Sequence, residues 1–270
     1  MRLPKLIATD LDGTLLDRQG RLSQRNQKAL QAAREHGIRT LAVTARPPRA
    51  VYRVPELAAV LDAALCSTGS IRFDTANQTA ELRHSIPLAL AREIHRQLRA
   101  ALPAADFAVE TGATLRVQGN YFKALHFIDP QVPIAGDHDL FAEAEPVVSM
   151  LVHDGASTGQ AMHEATAHIA IPGVSLWRWG SYPEIECTAV EATKGPALAA
   201  WCAEQDIDPE DVVAFGDMPN DVSMLAWAGR SYAMAGAHAE AAAAATHRAE
   251  AASDDGVGKA IEALLGIQAG

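Results

Sequence analysis

The first apolar run, Leu6 to Thr9, is short and gives way to the acids Asp10 and Asp12, the pattern of a buried strand. Ser23 then stands where a helix N-cap belongs. Ala29, Leu30 and Ala33 recur at helical spacing, and Gly37 stops the pattern after His36, which predicts a helix. A second apolar run covers Ile38 to Val43, with Pro47 and Pro48 at a helix start beyond it, and Leu57 to Leu65 leads into a third strand. Strand and helix alternate, as they do in a parallel sheet covered by helices on both faces.

From about Thr79 to Glu186 the rhythm changes. Helical stretches (Leu88 to Leu102, Gln160 to His168) mix with alternating or strand-like segments such as Thr114 to Val117, Val147 to His153 and Glu184 to Thr188. Strand–helix alternation returns after Lys194, with a helix over Pro196 to Gln205, a strand over Val212 to Phe215 and a helix over Asn220 to Ala228. The Ala-rich stretch Ala239 to Ala252 carries Glu240, His247, Arg248 and Glu250 and reads as a soluble helix. The expected fold class is α/β: a Rossmann-like parallel sheet core formed by residues 1–83 and 188–270, with an inserted α+β domain over 84–187.

Composition narrows the partners. A chain of 270 residues with 49% apolar and 21% charged residues can bury a sizeable core. The formal charge of -10 would require a local basic patch for a nucleic-acid partner, and Arg46 to Arg53 and Lys123 to His126 are too sparse to form one. Cys66, Cys187 and Cys202 are odd in number, far apart and without a CxxC pair, so neither zinc nor a disulfide framework is expected, and a cytoplasmic location fits. Asp10 and Asp12 interrupt the first apolar stretch, which excludes a signal-peptide core, and no segment reaches the roughly 18 apolar residues of a membrane span.

Four short motifs carry chemistry. In Asp10-Leu11-Asp12-Gly13-Thr14, two carboxylates two residues apart on an extended segment face one way, at the C-terminal edge of a central strand where open α/β sheets bind ligands. One can attack phosphorus while the other moves a proton; the plainer reading is a hairpin turn at Asp12-Gly13. Gly216-Asp217-Met218-Pro219-Asn220-Asp221 follows another strand. Beside the first pair its acids would repel unless a cation sat among them, and Mg2+ is the natural one; alternatively Asn220 simply caps a helix. Thr44-Ala45-Arg46 ends the second strand, where a hydroxyl and helix amides can cradle phosphate or Thr44 can serve as a cap. Lys194 precedes a helix and can neutralise phosphate and carboxylate charge.

Two other motifs compete. Gly155-Ala156-Ser157-Thr158-Gly159 matches the G-x-S-x-G elbow of serine hydrolases, with Asp217 and His238 or His247 as its partners, but it sits where strand–helix alternation breaks down. Gly256-Val257-Gly258-Lys259 resembles a P-loop end, yet Ser253 stands for the first glycine and Ala260 for the Ser/Thr.

Taken in order, D-x-D-G-T, T-x-R, K-G and G-D-x-x-N-D resemble the haloacid dehalogenase-like phosphatases, and most of all their Cof-type branch. The likeness extends to Glu186, Met224-Leu225, Tyr232-Ala233-Met234 and Asp254-Asp255-Gly256-Val257. It implies a phosphatase that hydrolyses a small phosphorylated metabolite, such as a sugar phosphate or phosphorylated cofactor, through an aspartyl-phosphate intermediate. A phosphotransferase or mutase using the same aspartate is the alternative. By resemblance Asp10 is the nucleophile and Asp12 the general acid/base. Mg2+ is held by Asp10, the Asp12 carbonyl, Asp217 and Asp221. Thr44, Ala45 through its amide, Arg46, Lys194 and Asn220 bind the substrate. The insertion resembles a substrate-selecting cap, with Tyr121, Lys123, His126, Trp177 and Arg178 as candidates and Trp177 and Trp179 on one strand face. Two departures stand out: Ala45 replaces the branch's glycine, and Thr68, in Ser67-Thr68-Gly69-Ser70, its asparagine.

Overall fold

The computed structural model describes residues 2–119, 121, 131–134, 136, 140, 141, 145–178 and 182–267. The chain divides into two compact units, Met1–Glu81 with Thr193–Gly270, and Leu82–Ala192. In chain order the first unit begins with β1 (Leu6–Thr9), α1 (Gln24–Glu35), β2 (Arg39–Val43), α2 (Pro48–Tyr52), α3 (Glu56–Val60), β3 (Ala63–Cys66), β4 (Ile71–Asp74) and β5 (Thr79–Leu82). The second unit holds α4 (Leu88–Ala101), β6 (Asp106–Glu110), β7 (Leu115–Gln118), β8 (Gln131–Ile134), β9 (Ser149–His153), α5 (Gly159–Thr166), β10 (Val174–Arg178) and β11 (Glu184–Ala189). The chain returns to the first unit with α6 (Lys194–Glu204), β12 (Val212–Gly216), α7 (Val222–Trp227), β13 (Arg230–Ala233), α8 (Ala239–Ala244), β14 (His247–Arg248) and α9 (Gly256–Leu265).

The first unit is built on one sheet of order β14-β13-β12-β1-β2-β3-β4-β5. Strands β14 to β3 in that order run parallel, and β4 turns antiparallel to β3. Parallel strands buried on both faces need apolar runs, and β1, β3 and β12 are buried throughout. Leu6, Ala8, Leu41, Val43, Val212 and Ala214 pack in one cluster with Leu198, Trp201, Met224 and Ala241 of α6, α7 and α8. Helix α1 packs against α9 and α3, and buries Ala29, Leu30 and Ala33, the stripe expected of it. Ser23 caps it, accepting the Asn26 N–H.

The Ala-rich stretch departs from its expected single helix. Helix α8 stops at Ala244, and His247 and Arg248 pair with Tyr232 and Ala233 as the sheet's edge strand. Reciprocal bonds between Thr246 and Ser231 lock that edge, so pairing overrides alanine's helix propensity.

The second unit is a sheet of order β10-β11-β9-β6-β7-β8, antiparallel except for β7 against β8. Ile94 and Leu98 of α4 and Met162 of α5 cover the Phe107, Val109, Met150, Val152, Ile185 and Cys187 face. Thr188 and Ala189 continue β11 and pair with Ser175 and Val174, so the unit runs to Ala192 rather than ending at 187. Lys123, His126 and Trp179 lie outside the described residues, as does the Arg178 side chain. Tyr121 is fully buried and donates to Glu184 at 3.2 Å, and Trp177 Nε1 donates to Thr188 Oγ1 at 3.3 Å.

Candidate active site

Register brings the motifs together. Thr9 of β1 is level with Phe215 of β12 and with Ala42 of β2. Asp10, Asp217 and Thr44 therefore leave three adjacent parallel strands within a residue or so of one level, at the C-terminal edge where α/β sheets bind ligands. The Asp10 amide donates to the Phe215 carbonyl at 2.9 Å, which carries the ladder one residue past β1. The chain then turns. Gly13 has φ +81°, and a Cβ there would lie 2.5 Å from Asp217 Oδ2, so the glycine leaves room for the second acidic motif. Because of this turn, Asp12 is not extended beside Asp10: Asp10 is buried and Asp12 exposed.

Lys194 is the centre of the charged cluster. It opens α6 and is 1% exposed. Its Nζ donates to Asp10 Oδ1 and to Asp221 Oδ1, each at 2.6 Å. Gly195 lets α6 approach α7 this closely, since a Cβ would meet the Ser223 backbone at 2.6 Å. Asp221 lies in the short 3-10 turn Pro219–Asp221, and its Oδ2 accepts the Asp217 and Met218 amides at 2.9 Å each. Thr14, the last residue of the first motif, donates to Asp217 Oδ1 at 3.0 Å. This contact was not anticipated from sequence, although the threonine's place in the motif was visible.

Burial and charge pull these groups in opposite directions. Burial, reinforced by Asp221 and Asp217, raises the Asp10 carboxyl well above the usual range against the pull of Lys194. Asp217 is pushed up to about 6 by burial and by Asp221. Burial would lower Lys194, but Asp10 and Asp221 outweigh it and the net shift is upward. Ligand oxygens of Asp10, Asp217 and Asp221 lie within 4.8 Å of one another. Hard oxygen donors with surplus negative charge suit Mg2+. Oδ2 of Asp10 and of Asp217 accept no hydrogen bond among the described residues, whereas both Asp221 oxygens are engaged.

Thr44 is buried, and its hydroxyl accepts the Arg46 amide at 3.1 Å rather than capping α2, whose N-cap is Pro47. Ala45 is absent from the positive-φ residues, so its methyl brings no left-handed strain. Arg46 has a partner that sequence did not reveal: its Nε and Nη2 fork onto the two Asp12 oxygens at 2.7 and 2.6 Å. Asn220 is buried with Oδ1 unpartnered. Ser157, by contrast, sits in the turn before α5, where Thr158 caps the helix. No histidine or carboxylate is hydrogen-bonded to it among the described residues. His238 accepts the Glu240 amide and His247 is bonded to Thr246, so neither proposed partner is waiting for a serine.

A model of the haloacid dehalogenase-like hydrolases matches residues 7–261. The chain belongs to that family. Similar members include the pyridoxal phosphate phosphatase YbhA of Escherichia coli (strain K12), 29% identical over 86% of this chain and 88% of that protein. Another is the 5-amino-6-(5-phospho-D-ribitylamino)uracil phosphatase YwtE of Bacillus subtilis (strain 168), 26% identical over 98% of this chain and 99% of that one. A haloacid dehalogenase-like hydrolase structure from B. subtilis superposes with a TM-score of 0.83 at 22% identity, covering 96% of this chain and 99% of its own. At that identity the structural likeness establishes the α/β fold and no more.

Proposed function

We propose that this family member is a Mg2+-dependent phosphatase acting on a small phosphorylated metabolite through an aspartyl-phosphate intermediate. The observation that carries the reading is the buried Lys194 bridging Asp10 and Asp221 within an acidic cluster suited to a divalent cation. The phosphatase names of the relatives support the same class.

Asp10 is the nucleophile. Lys194 opposes the upward shift that burial gives the Asp10 carboxyl and offsets the charge of the incoming phosphoryl group. Asp10, Asp217 and the Asp12 carbonyl hold the metal, and Asp221 braces them from behind, because its own oxygens are occupied. Bound there, Mg2+ supplies positive charge against the phosphoryl oxygens. Thr44 through its hydroxyl, the Ala45 amide and Asn220 through Nδ2 donate to the remaining oxygens. Asp12 gives a proton to the leaving oxygen as Asp10 attacks in line, then takes one from water as the acyl phosphate is hydrolysed. Arg46 orients Asp12 through its fork rather than gripping phosphate itself. The inserted unit is the substrate-selecting module, and a set of three buried cysteines fits a cytoplasmic location.

The deciding experiment is phosphate release from an aryl phosphate with and without Mg2+, wild type beside Asp10→Asn. Metal-dependent turnover that disappears in the variant is expected. Undiminished turnover in Asp10→Asn would exclude the mechanism.

A further inference from the structure

Ser67 carries two costs at once. Its φ is +48°, and it is followed by Thr68 at +57° and Gly69 at +112°, three successive residues in conformations that L side chains avoid. Its hydroxyl is buried without a hydrogen-bond partner, in a residue only 2% exposed. Its backbone, in contrast, is fully committed. The Ser67 amide donates to the Arg46 carbonyl at 2.9 Å, and its carbonyl accepts the Ser70 amide at 3.1 Å and the Thr68 hydroxyl at 2.7 Å. The Thr68 amide donates to the Thr44 carbonyl at 2.9 Å. The left-handed loop is thus fastened to the turn that presents Thr44 and Arg46. Strain and an unmet polar atom at one residue are features that collect where a ligand completes the structure.

Position indicates which part of the ligand. Strand β3, which ends at Cys66, is two places from β1 in the sheet. Two strand spacings amount to roughly 9–10 Å, too far for Ser67 to share the oxygens of a phosphoryl group attacked by Asp10. It lies on the side of Arg46, whose guanidinium holds the acid that meets the leaving oxygen. We propose that Ser67 is a specificity-determining residue whose hydroxyl hydrogen-bonds a hydroxyl or carbonyl oxygen of the leaving group, so that oxygen-rich phosphoesters are preferred over apolar ones. This rests on the phosphatase reading above.

The test is steady-state kinetics on glycerol 2-phosphate and phenyl phosphate, in wild type, Ser67→Ala, Ser67→Gly and Ser70→Ala. Ser70 is the control, a second fully buried hydroxyl without a partner that makes no bond to the Thr44–Arg46 turn. Losing one hydrogen bond in the substrate complex lowers the ratio of kcat/KM for the polyol ester to that for the aryl ester about five- to tenfold, mainly through KM. Both Ser67 variants should show this, and Ser67→Gly, which tolerates the positive φ, guards against misfolding of the alanine variant. Ser70→Ala should leave the ratio alone. A ratio unchanged in both Ser67 variants, or lowered equally in Ser70→Ala, overturns the assignment. Wild-type enzyme that hydrolyses neither ester overturns the phosphatase reading itself.

Discussion

Replacing Lys194 by methionine removes the ammonium and keeps an apolar chain of similar length. In the native protein the ammonium sits 2.6 Å from Asp10 and 2.6 Å from Asp221, with side chains 1%, 8% and 0% exposed. Removing one partner of such a buried pair leaves carboxylate charge uncompensated and costs about 3–5 kcal/mol. At about 2–3 °C per kcal/mol for a chain of this size, melting in chelator should fall by about 6–15 °C at pH 8. The sign with pH follows from Asp10, whose carboxyl burial already holds well above the ordinary carboxylate range. A carboxyl raised in the folded state contributes stability that is full below the unfolded value and is lost as pH rises through the folded one. Without Lys194 the folded value climbs further, so the deficit of Lys194→Met should be small near pH 5 and wide at pH 8. Excess Mg2+ should recover part of it by restoring positive charge. Thermal melts at the two pH values, with chelator or Mg2+, read all of this. An equal loss at both pH values would mean that Lys194 matters for packing and not as a counter-charge, and the electrostatic account of the site would fail.

Four further outcomes follow from the same geometry. Asp217, pushed up to about 6, contributes stability at low pH that is lost as pH climbs through 6. Wild type in chelator should therefore melt lower at pH 7 than at pH 5, and saturating Mg2+ should flatten the difference. The carboxylates held low elsewhere, at Asp17, Asp74, Glu93 and Asp211, act only below that window. Arg46→Ala should lower kcat/KM about 100-fold on an alkyl phosphate and under tenfold on p-nitrophenyl phosphate, because only the poor leaving group needs the proton that Asp12 delivers; equal losses would make Arg46 a phosphate ligand instead. Gly13→Ala places a methyl against Asp217 at +81° φ, and Mg2+ titration of activity should show the half-saturating concentration rising at least tenfold. Thr68→Asn puts a residue that tolerates the left-handed region at φ +57°, and differential scanning calorimetry should show melting raised by about 2 °C.

How far the sequence could be read depended on whether a feature was local. Asp10, Thr44 and Asp217 each close an apolar strand, so the residues at the functional edge of the sheet stood out from pattern and motif together. The helices from Ser23 and after Lys194 carried their own signals. Three things did not show. The Asp12–Arg46 fork depends on a turn at Gly13 that swings Asp12 away from its neighbour. Strand β14 is set by Ser231 and Thr246, partners 15 residues apart, within a segment whose composition favours helix. The left-handed loop at Ser67 and Thr68 has neither glycine nor asparagine at its first two positions, so nothing local announces it.

Charge balance joins these pieces. Asp12 is matched by the Arg46 guanidinium, so its charge is offset outside the cluster. In the cluster, Asp10, Asp217 and Asp221 face one cation among the described residues, Lys194, which leaves two formal negative charges when all three acids are ionised. Burial raises Asp10 and Asp217, and that surplus adds to the rise. A divalent cation removes it; a monovalent one leaves half. A phosphate dianion arriving at the bare cluster would meet two like charges in a buried site, whereas with the cation in place it meets a neutral one with the ammonium already oriented. Metal should therefore bind before substrate, and inorganic phosphate should bind measurably by calorimetry only when Mg2+ is present. Phosphate binding of equal strength in chelator would show that Lys194 and the backbone amides suffice, and that the acidic cluster is not the element that calls for a metal.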